Sequence, residues 1–299
     1  MKYPLYINYI IKNFIFNTKG FTKDLFEDIS KDIKAKKNKT SFRKIWICGL
    51  PKSGTTLIEN ILNNLLYIQI EKSILRMFPN KNKISDKNID EYISCFPKNK
   101  FTYVKTHLEY NQNILNKLIN QNFKVIITLR DLRDALISRY FHVLSDKDHW
   151  QHDVVKNLNF EEGFINSLTI KTRKFPNPNF EEPIKAYYNW IRNWNEVENS
   201  KNIKKIWYEG YNENAEKFIK EILNFANFNE LDEKEIENKL SLKRIEEKNI
   251  PLIKKLKRRG KNVSTFRSGK SNTWKDLFTE KINNKFNKLL PGKIENILN

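Results

Sequence analysis

The stretch KIWICGLPKSGTTLIENIL, residues 44–62, decides the fold, because an apolar run, a helix-breaking loop and the start of an amphipathic helix follow one another without a gap. Ile45-Trp46-Ile47-Cys48 reads as a buried strand, Gly49, Pro51 and Gly54 interrupt regular structure, and Thr55 and Thr56 open a helix with apolar positions at Leu57, Ile58, Ile61 and Leu62. Backbone amides at such a helix start have no intrahelical acceptors, and the helix dipole adds partial positive charge there, so the loop suits the phosphate of a nucleotide. The spacing from Gly49 to Gly54 is that of a Walker A loop. Thr55, however, stands where such a loop carries its lysine, and the lysine is displaced into the loop as Lys52.

Three further segments extend this reading along the chain: YVKTHL at 103–108, VIITLRDLRDALISRYFH at 125–142 and FRSGKSNTWKDLFT at 266–279. Together with PKSGTT they resemble, in order and in spacing, the conserved regions of the cytosolic-type sulfotransferases, which use 3′-phosphoadenosine 5′-phosphosulfate (PAPS) as sulfuryl donor. The resemblance spans about residues 44–280 and rests on four motifs in register. It implies an α/β fold with a mostly parallel central sheet flanked by helices.

The same resemblance distributes roles. It implies that Lys52 stabilises the leaving-group oxygen, that His107 is the general base, and that Lys52, Ser53, Gly54, Thr55 and Thr56 cradle the 5′ side of the donor. Arg130 and Ser138 would bind the 3′-phosphate, and Arg267, Ser268 and Gly269 would close over it. A neutral imidazole suits proton abstraction near physiological pH, and Lys105, two residues before His107 on the same strand end, is placed to reach the sulfuryl oxygens. The family's adenine-stacking aromatics are replaced by Leu57 and Leu242, which leaves Tyr208 as the aromatic candidate for the base. Asp131 and Leu132 stand where the family tends to have asparagine and proline, as in a divergent branch. PAPS is thus expected as co-substrate, with no metal required.

Each residue also has a plainer reading. Arg130 has Asp131 and Asp134 at hand as salt-bridge partners, and Lys105 can be a solvated lysine. Of the other histidines, His149 and His152 lie in a polar stretch, and His142 reads as packing or capping. Two other functions compete: a P-loop kinase or NTPase, which needs a lysine at position 55 and a strand-end carboxylate for Mg²⁺, and a non-catalytic polyanion-binding protein suggested by the net charge of +20. The lysines are scattered along the chain with no nucleic-acid motif beside them, so their field is read as steering a polyanionic donor, not as marking a specific nucleic-acid partner.

Global features agree. A chain of 299 residues with sparse Gly and Pro can bury one sizeable core, and its two cysteines, Cys48 and Cys95, support neither a disulfide framework nor a zinc site, as in a reducing cytoplasm. The apolar run at 3–16 is short and broken by Asn8, Lys12 and Asn13, so residues 1–43 are expected to form an extension with a packed helix, followed by the catalytic domain at 44–299. No membrane span is expected. Strands are predicted at Lys44–Cys48, Thr102–Lys105, Lys124–Leu129 and Ile203–Tyr208, with helices at Thr55–Leu66, Asn111–Asn120, Asp134–Leu144, Pro183–Ser200, Glu213–Ala226 and Asp232–Leu240. Loops around 79–100 and 171–183 are expected to frame a small-molecule acceptor. Acceptor identity and oligomeric state are not legible.

Overall fold

The structure is a computed structural model that describes residues 44–63, 68–69, 84–94, 96, 102–170, 181–227 and 269–298. Expectations for the extension at 1–43, the helix at 232–240, Leu242, the basic run at 254–261, and Arg267 and Ser268 lie outside the described residues.

Strands β1 (Lys44–Gly49), β2 (Ile68–Gln69), β3 (Thr102–Thr106), β4 (Phe123–Leu129) and β5 (Ile203–Trp207) form one parallel sheet in the order β2-β3-β1-β4-β5. Its central strands read as continuous apolar runs because both faces are covered. Ile45, Ile47, Tyr103, Ile126 and Ile206 point to one face, where they pack on Leu57, Ile58, Ile61 and Leu62 of α1 (Thr55–Asn63) and on Phe218, Ile219 and Ile222 of a later helix. The alternate residues Trp46, Cys48, Val104, Val125, Ile127 and Leu129 point to the larger core on the other face. There Trp46, Phe96 and Phe123 pack ring on ring, with centroids 4.8–6.0 Å apart.

The remaining helices close these two layers. They are α2 (Ile89–Ser94), α3 (Gln112–Asn120), α4 (Leu132–Ser145), α5 (His152–Val155), α6 (Phe160–Thr169), α7 (Pro183–Asn195), α8 (Glu209–Glu213), α9 (Ala215–Phe225), α10 (Trp274–Leu277), α11 (Glu280–Leu289) and α12 (Glu295–Leu298). Asp131 caps α4 by accepting from the Arg133 amide at 2.8 Å, and Pro183 opens α7, where its missing N–H costs nothing. Among the described residues no helix is long and apolar enough to cross a membrane.

One loop expectation is corrected. Within 79–100, α2 buries Ile89, Tyr92 and Ile93, so this segment supplies core. Most of the loop at 171–183, residues 171–180, lies outside the described residues. Between 145 and 170, where no helix is predicted, α5 and α6 are regular helices. Asn159 caps α6 by accepting from the Glu162 amide at 3.0 Å, and Phe160, Phe164 and Leu168 form its apolar stripe. Gly163 obscures that stripe in the sequence, and packing is its reason: a Cβ there would lie 2.5 Å from the hydroxyl oxygen of Tyr140 on α4. Gly163→Ala is therefore expected to destabilise the fold by about 1–3 kcal/mol, and Tyr140→Phe in the same background to recover part of the loss. Denaturant unfolding checks both; an additive double variant would show that the contact is not the cause.

Candidate active site

The strand order reverses at β1, with β3 on one side and β4 on the other, so the chain leaves the carboxyl ends of these three strands in diverging directions and opens a crevice there. Lys52 follows β1, His107 follows β3 and Arg130 follows β4. The topology therefore brings together three motifs that are far apart in sequence.

The loop after β1 is built by close approach. A Cβ on Gly49 would lie 1.9 Å from Oγ1 of Thr128 and 2.5 Å from Thr55, so no other residue fits. Ser53 spends its polar groups inside the loop: its amide and hydroxyl donate to the Leu50 carbonyl at 3.2 and 2.9 Å, and its Oγ lies 2.9 Å from Thr128 Oγ1. Lys52 takes φ 74° and Gly54 φ 96°, both left-handed. For a lysine this conformation costs on the order of 1 kcal/mol and persists only where surrounding bonds over-determine it. One such bond is to Arg130, whose Nη1 donates to the Lys52 carbonyl at 2.9 Å. The turn delivers the chain into α1, where Thr55 is buried and Thr56 half-buried, with the helix-start amides available to an anion.

The cationic groups here are crowded. Burial, reinforced by the charge of Arg130, lowers the pKa of Lys52 to about 8. Arg130 itself is buried. Its Nη2 donates to the Lys270 carbonyl at 3.0 Å, its guanidinium lies 4.5 Å from the ring centre of Tyr208, and its Nε has no hydrogen-bond partner among the described residues. Neither salt bridge expected for it forms: Asp131 pairs with Arg133, and Asp134 accepts from residues 272–274. Tyr208 donates to the Gly269 carbonyl at 2.9 Å and packs against Gly54, where a Cβ would lie 2.6 Å from the ring. An orphaned guanidinium N–H beside a half-buried lysine and a helix start is a donor set that fits a phosphate.

His107 lies on the other side of β1. Its Nδ1 is 2.5 Å from the Gly49 carbonyl, which can only accept, so Nδ1 carries the proton and Nε2 is the basic nitrogen. Burial pushes its pKa down to about 4, with the Gly49 bond opposing and the charges of Lys105 and Lys52 adding to the depression. Its backbone is held by the next residue, whose carbonyl accepts from Trp190 Nε1 at 2.9 Å, Trp194 Nε1 at 3.1 Å and the Cys48 thiol at 3.3 Å. Lys105 is drawn to Glu59 of α1 at 2.5 Å and is a paired, mostly buried cation, not a solvated one.

Other positions depart from the sequence reading. Leu57 is withdrawn into the apolar cluster beneath Tyr208. Ser138 is half-buried on α4, and one turn further His142 feels the charge of Lys52. Burial first, then Lys52, lowers the pKa of His142 to about 4, and its Nδ1 has no hydrogen-bond partner among the described residues. The i, i+4 spacing from Ser138 was the available signal for this residue. Nothing in the sequence pointed to the Leu108 carbonyl, and Asp134 was legible only as a salt-bridge partner for Arg130, not as the acceptor of residues 272–274.

The crevice lies at the carboxyl ends of the parallel sheet of an α/β protein. The sequence model of the sulfotransferase domain family matches residues 42–296, and the chain belongs to that family of enzymes. It is similar to Sulfotransferase 6B1 of Mus musculus, with 24% identity over 190 residues, 63% of this chain and 56% of that protein, so the match spans little more than half of the relative. Two solved structures share the fold. Mouse sulfotransferase SULT7A1 complexed with PAP superimposes with TM-score 0.56 at 18% identity, over 86% of this chain and 85% of that one. Retinol dehydratase in a complex with retinol and PAP gives TM-score 0.57 at 18% identity, over 83% and 80%. Family membership sets aside the kinase and NTPase alternative.

The two depressed histidines make stability depend on pH. Between the ordinary value of 6.5 and the folded value of about 4, the unfolded chain binds protons that the folded one refuses, so stability is full above 6.5 and falls as the pH drops through that window. For His107 alone the loss by pH 5 is on the order of 2 kcal/mol. Urea midpoints from pH 7.5 to 5 are expected to fall steeply in the wild type and less steeply in His107→Gln; equal slopes would contradict the burial of a neutral imidazole.

Proposed function

We propose that this enzyme moves a sulfuryl group from PAPS to a hydroxyl or amine of a small acceptor by in-line displacement, with His107 as general base. The observation that carries the reading is the His107–Gly49 bond, which ties the base to the first residue of the phosphate loop and leaves Nε2 basic. Bound PAPS supplies an activated sulfuryl group on a phosphosulfate whose bridging oxygen gains charge as it leaves. Lys52 holds positive charge against that oxygen, and the amides at the start of α1 bind the 5′-phosphate. Arg130 and Ser138 hold the 3′-phosphate, with Arg267, Ser268 and Gly269 closing over it, and Tyr208 flanks the base. Lys105, oriented by Glu59, adds to the burial that keeps His107 neutral and to the positive field.

His107 Nε2 takes the acceptor proton. Its low pKa keeps it unprotonated throughout the neutral range, so the fraction in the basic form does not limit the rate near pH 7. We also propose that residues 44–299 form one catalytic unit carrying 1–43 as an extension, that no metal takes part, and that the enzyme works in the cytoplasm.

Transfer of radiolabelled sulfate from PAPS to a panel of phenols, steroids, amines and sugars tests the activity. His107→Ala is expected to lower kcat by roughly 10²–10⁴ while leaving stabilisation by 3′-phosphoadenosine 5′-phosphate (PAP) intact. Unchanged turnover would remove His107 from the mechanism.

A second test uses Lys52. Because its pKa without ligand is about 8, bound phosphate restores its proton, and PAP binding at pH 8.5 is expected to take up roughly half a proton or more. Binding heats in buffers of different ionisation enthalpy measure this uptake. It should vanish in Lys52→Met, and uptake that persisted there would place the titrating group elsewhere.

A further inference from the structure

Asp134 is completely buried, yet no cation pairs with it among the described residues; its neighbour Arg133 is engaged by Asp131 and stacks on Trp274 at 3.5 Å. Its carboxylate is satisfied instead by one short stretch of chain 138–140 residues away. Oδ2 accepts from the Asn272 amide at 2.5 Å, and Oδ1 accepts from the Thr273 hydroxyl at 2.8 Å and the Trp274 amide at 3.1 Å. Position in the first turn of α4 adds the favourable helix dipole. Asn272 takes φ 60°, a left-handed conformation that the bond to Asp134 helps to hold.

The same stretch begins with two carbonyls already met. Gly269 receives the Tyr208 hydroxyl, and Lys270 receives Nη2 of Arg130, whose Nη1 is bound by Lys52. The bonds therefore form a closed circuit: from Asp134 to 272–274, back along the chain to Lys270, across to Arg130, and along four residues to Asp134 again. Nη2 is held by the Lys270 carbonyl within this circuit and Nη1 by the Lys52 carbonyl outside it, and Nε is left over.

We infer that Asp134 is a positioning residue for the 3′-phosphate subsite, holding residues 269–274 so that Arg130 is fixed between Lys52 and Lys270 with its Nε–H presented to the phosphate. The inference rests on the reading of the crevice as a PAPS site. An asparagine at 134 would keep one acceptor but turn an N–H toward the Asn272 amide, so the stretch would lose the bond that holds its left-handed residue.

The test compares PAP with adenosine 5′-monophosphate, which lacks the 3′-phosphate, by calorimetric binding to the full chain. In Asp134→Asn, PAP affinity is expected to fall by about tenfold or more, with adenosine 5′-monophosphate affinity changed by less than about twofold. Thr273→Val removes one donor and leaves the carboxylate in place; it is expected to fold normally and to lose PAP affinity by about 2–5-fold in the same selective way. If Asp134→Asn does not fold, Thr273→Val decides. A ratio of the two affinities that stays at the wild-type value, whether because neither ligand weakens or because both weaken equally, overturns the assignment. Wild-type protein that binds PAP no better than adenosine 5′-monophosphate overturns the site reading, and the role of Asp134 with it.

Discussion

Gly49 has no room for a side chain, and most of the crevice follows from that. Its missing Cβ lets Thr128 on β4, Ser53 and Thr55 converge on the end of β1, and its carbonyl receives the imidazole of His107 from β3. One residue thus sets the distance between the phosphate loop and the base, and ties both to the strand where the sheet order reverses. Any side chain here would part β1 from β4 and displace His107 in the same stroke.

A second constraint is electrostatic. Lys52, Arg130 and Lys105 bring three cations around a neutral imidazole, and Glu59 pairs with Lys105. Burial first, and this crowding in addition, lowers the proton affinity of Lys52 and of His107, and the Nε–H of Arg130 is unmatched among the described residues. A phosphate would offset each of these costs. Backbone carbonyls at Lys52, Lys270 and Gly269 hold the cation and the tyrosine without neutralising the charge.

Much of this was legible before the fold was known, and the reasons differ by element. The strands at 44 and 123 show as apolar runs because a parallel sheet buried on both faces allows little else. Lys52, His107 and Arg130 show because each follows a strand end within a motif, and Tyr208 because it ends a predicted strand. The helix over 160–169 was hidden by Gly163, whose role is contact with Tyr140, and α2 by the polar stretch before it. Asp131, Asp134 and Arg130 offered several pairings within five residues, and only tertiary structure chose among them: the aspartates took Arg133 and a distant stretch, leaving the arginine to backbone carbonyls. The clamp on the Leu108 carbonyl by Trp190 and Trp194 leaves no trace in local sequence, because its partners are 82 and 86 residues away.

The central claim is that a loop with its lysine displaced to position 52 serves a 3′-phosphorylated nucleotide and not a nucleoside triphosphate. Thermal unfolding of the wild-type protein with PAP, and with ATP in the presence and absence of Mg²⁺, tests it most directly, since a ligand that binds only the native state raises its stability by mass action. A rise in Tm with PAP, small with ATP and indifferent to Mg²⁺, is the expected result. A magnesium-dependent rise with ATP and none with PAP would contradict the account.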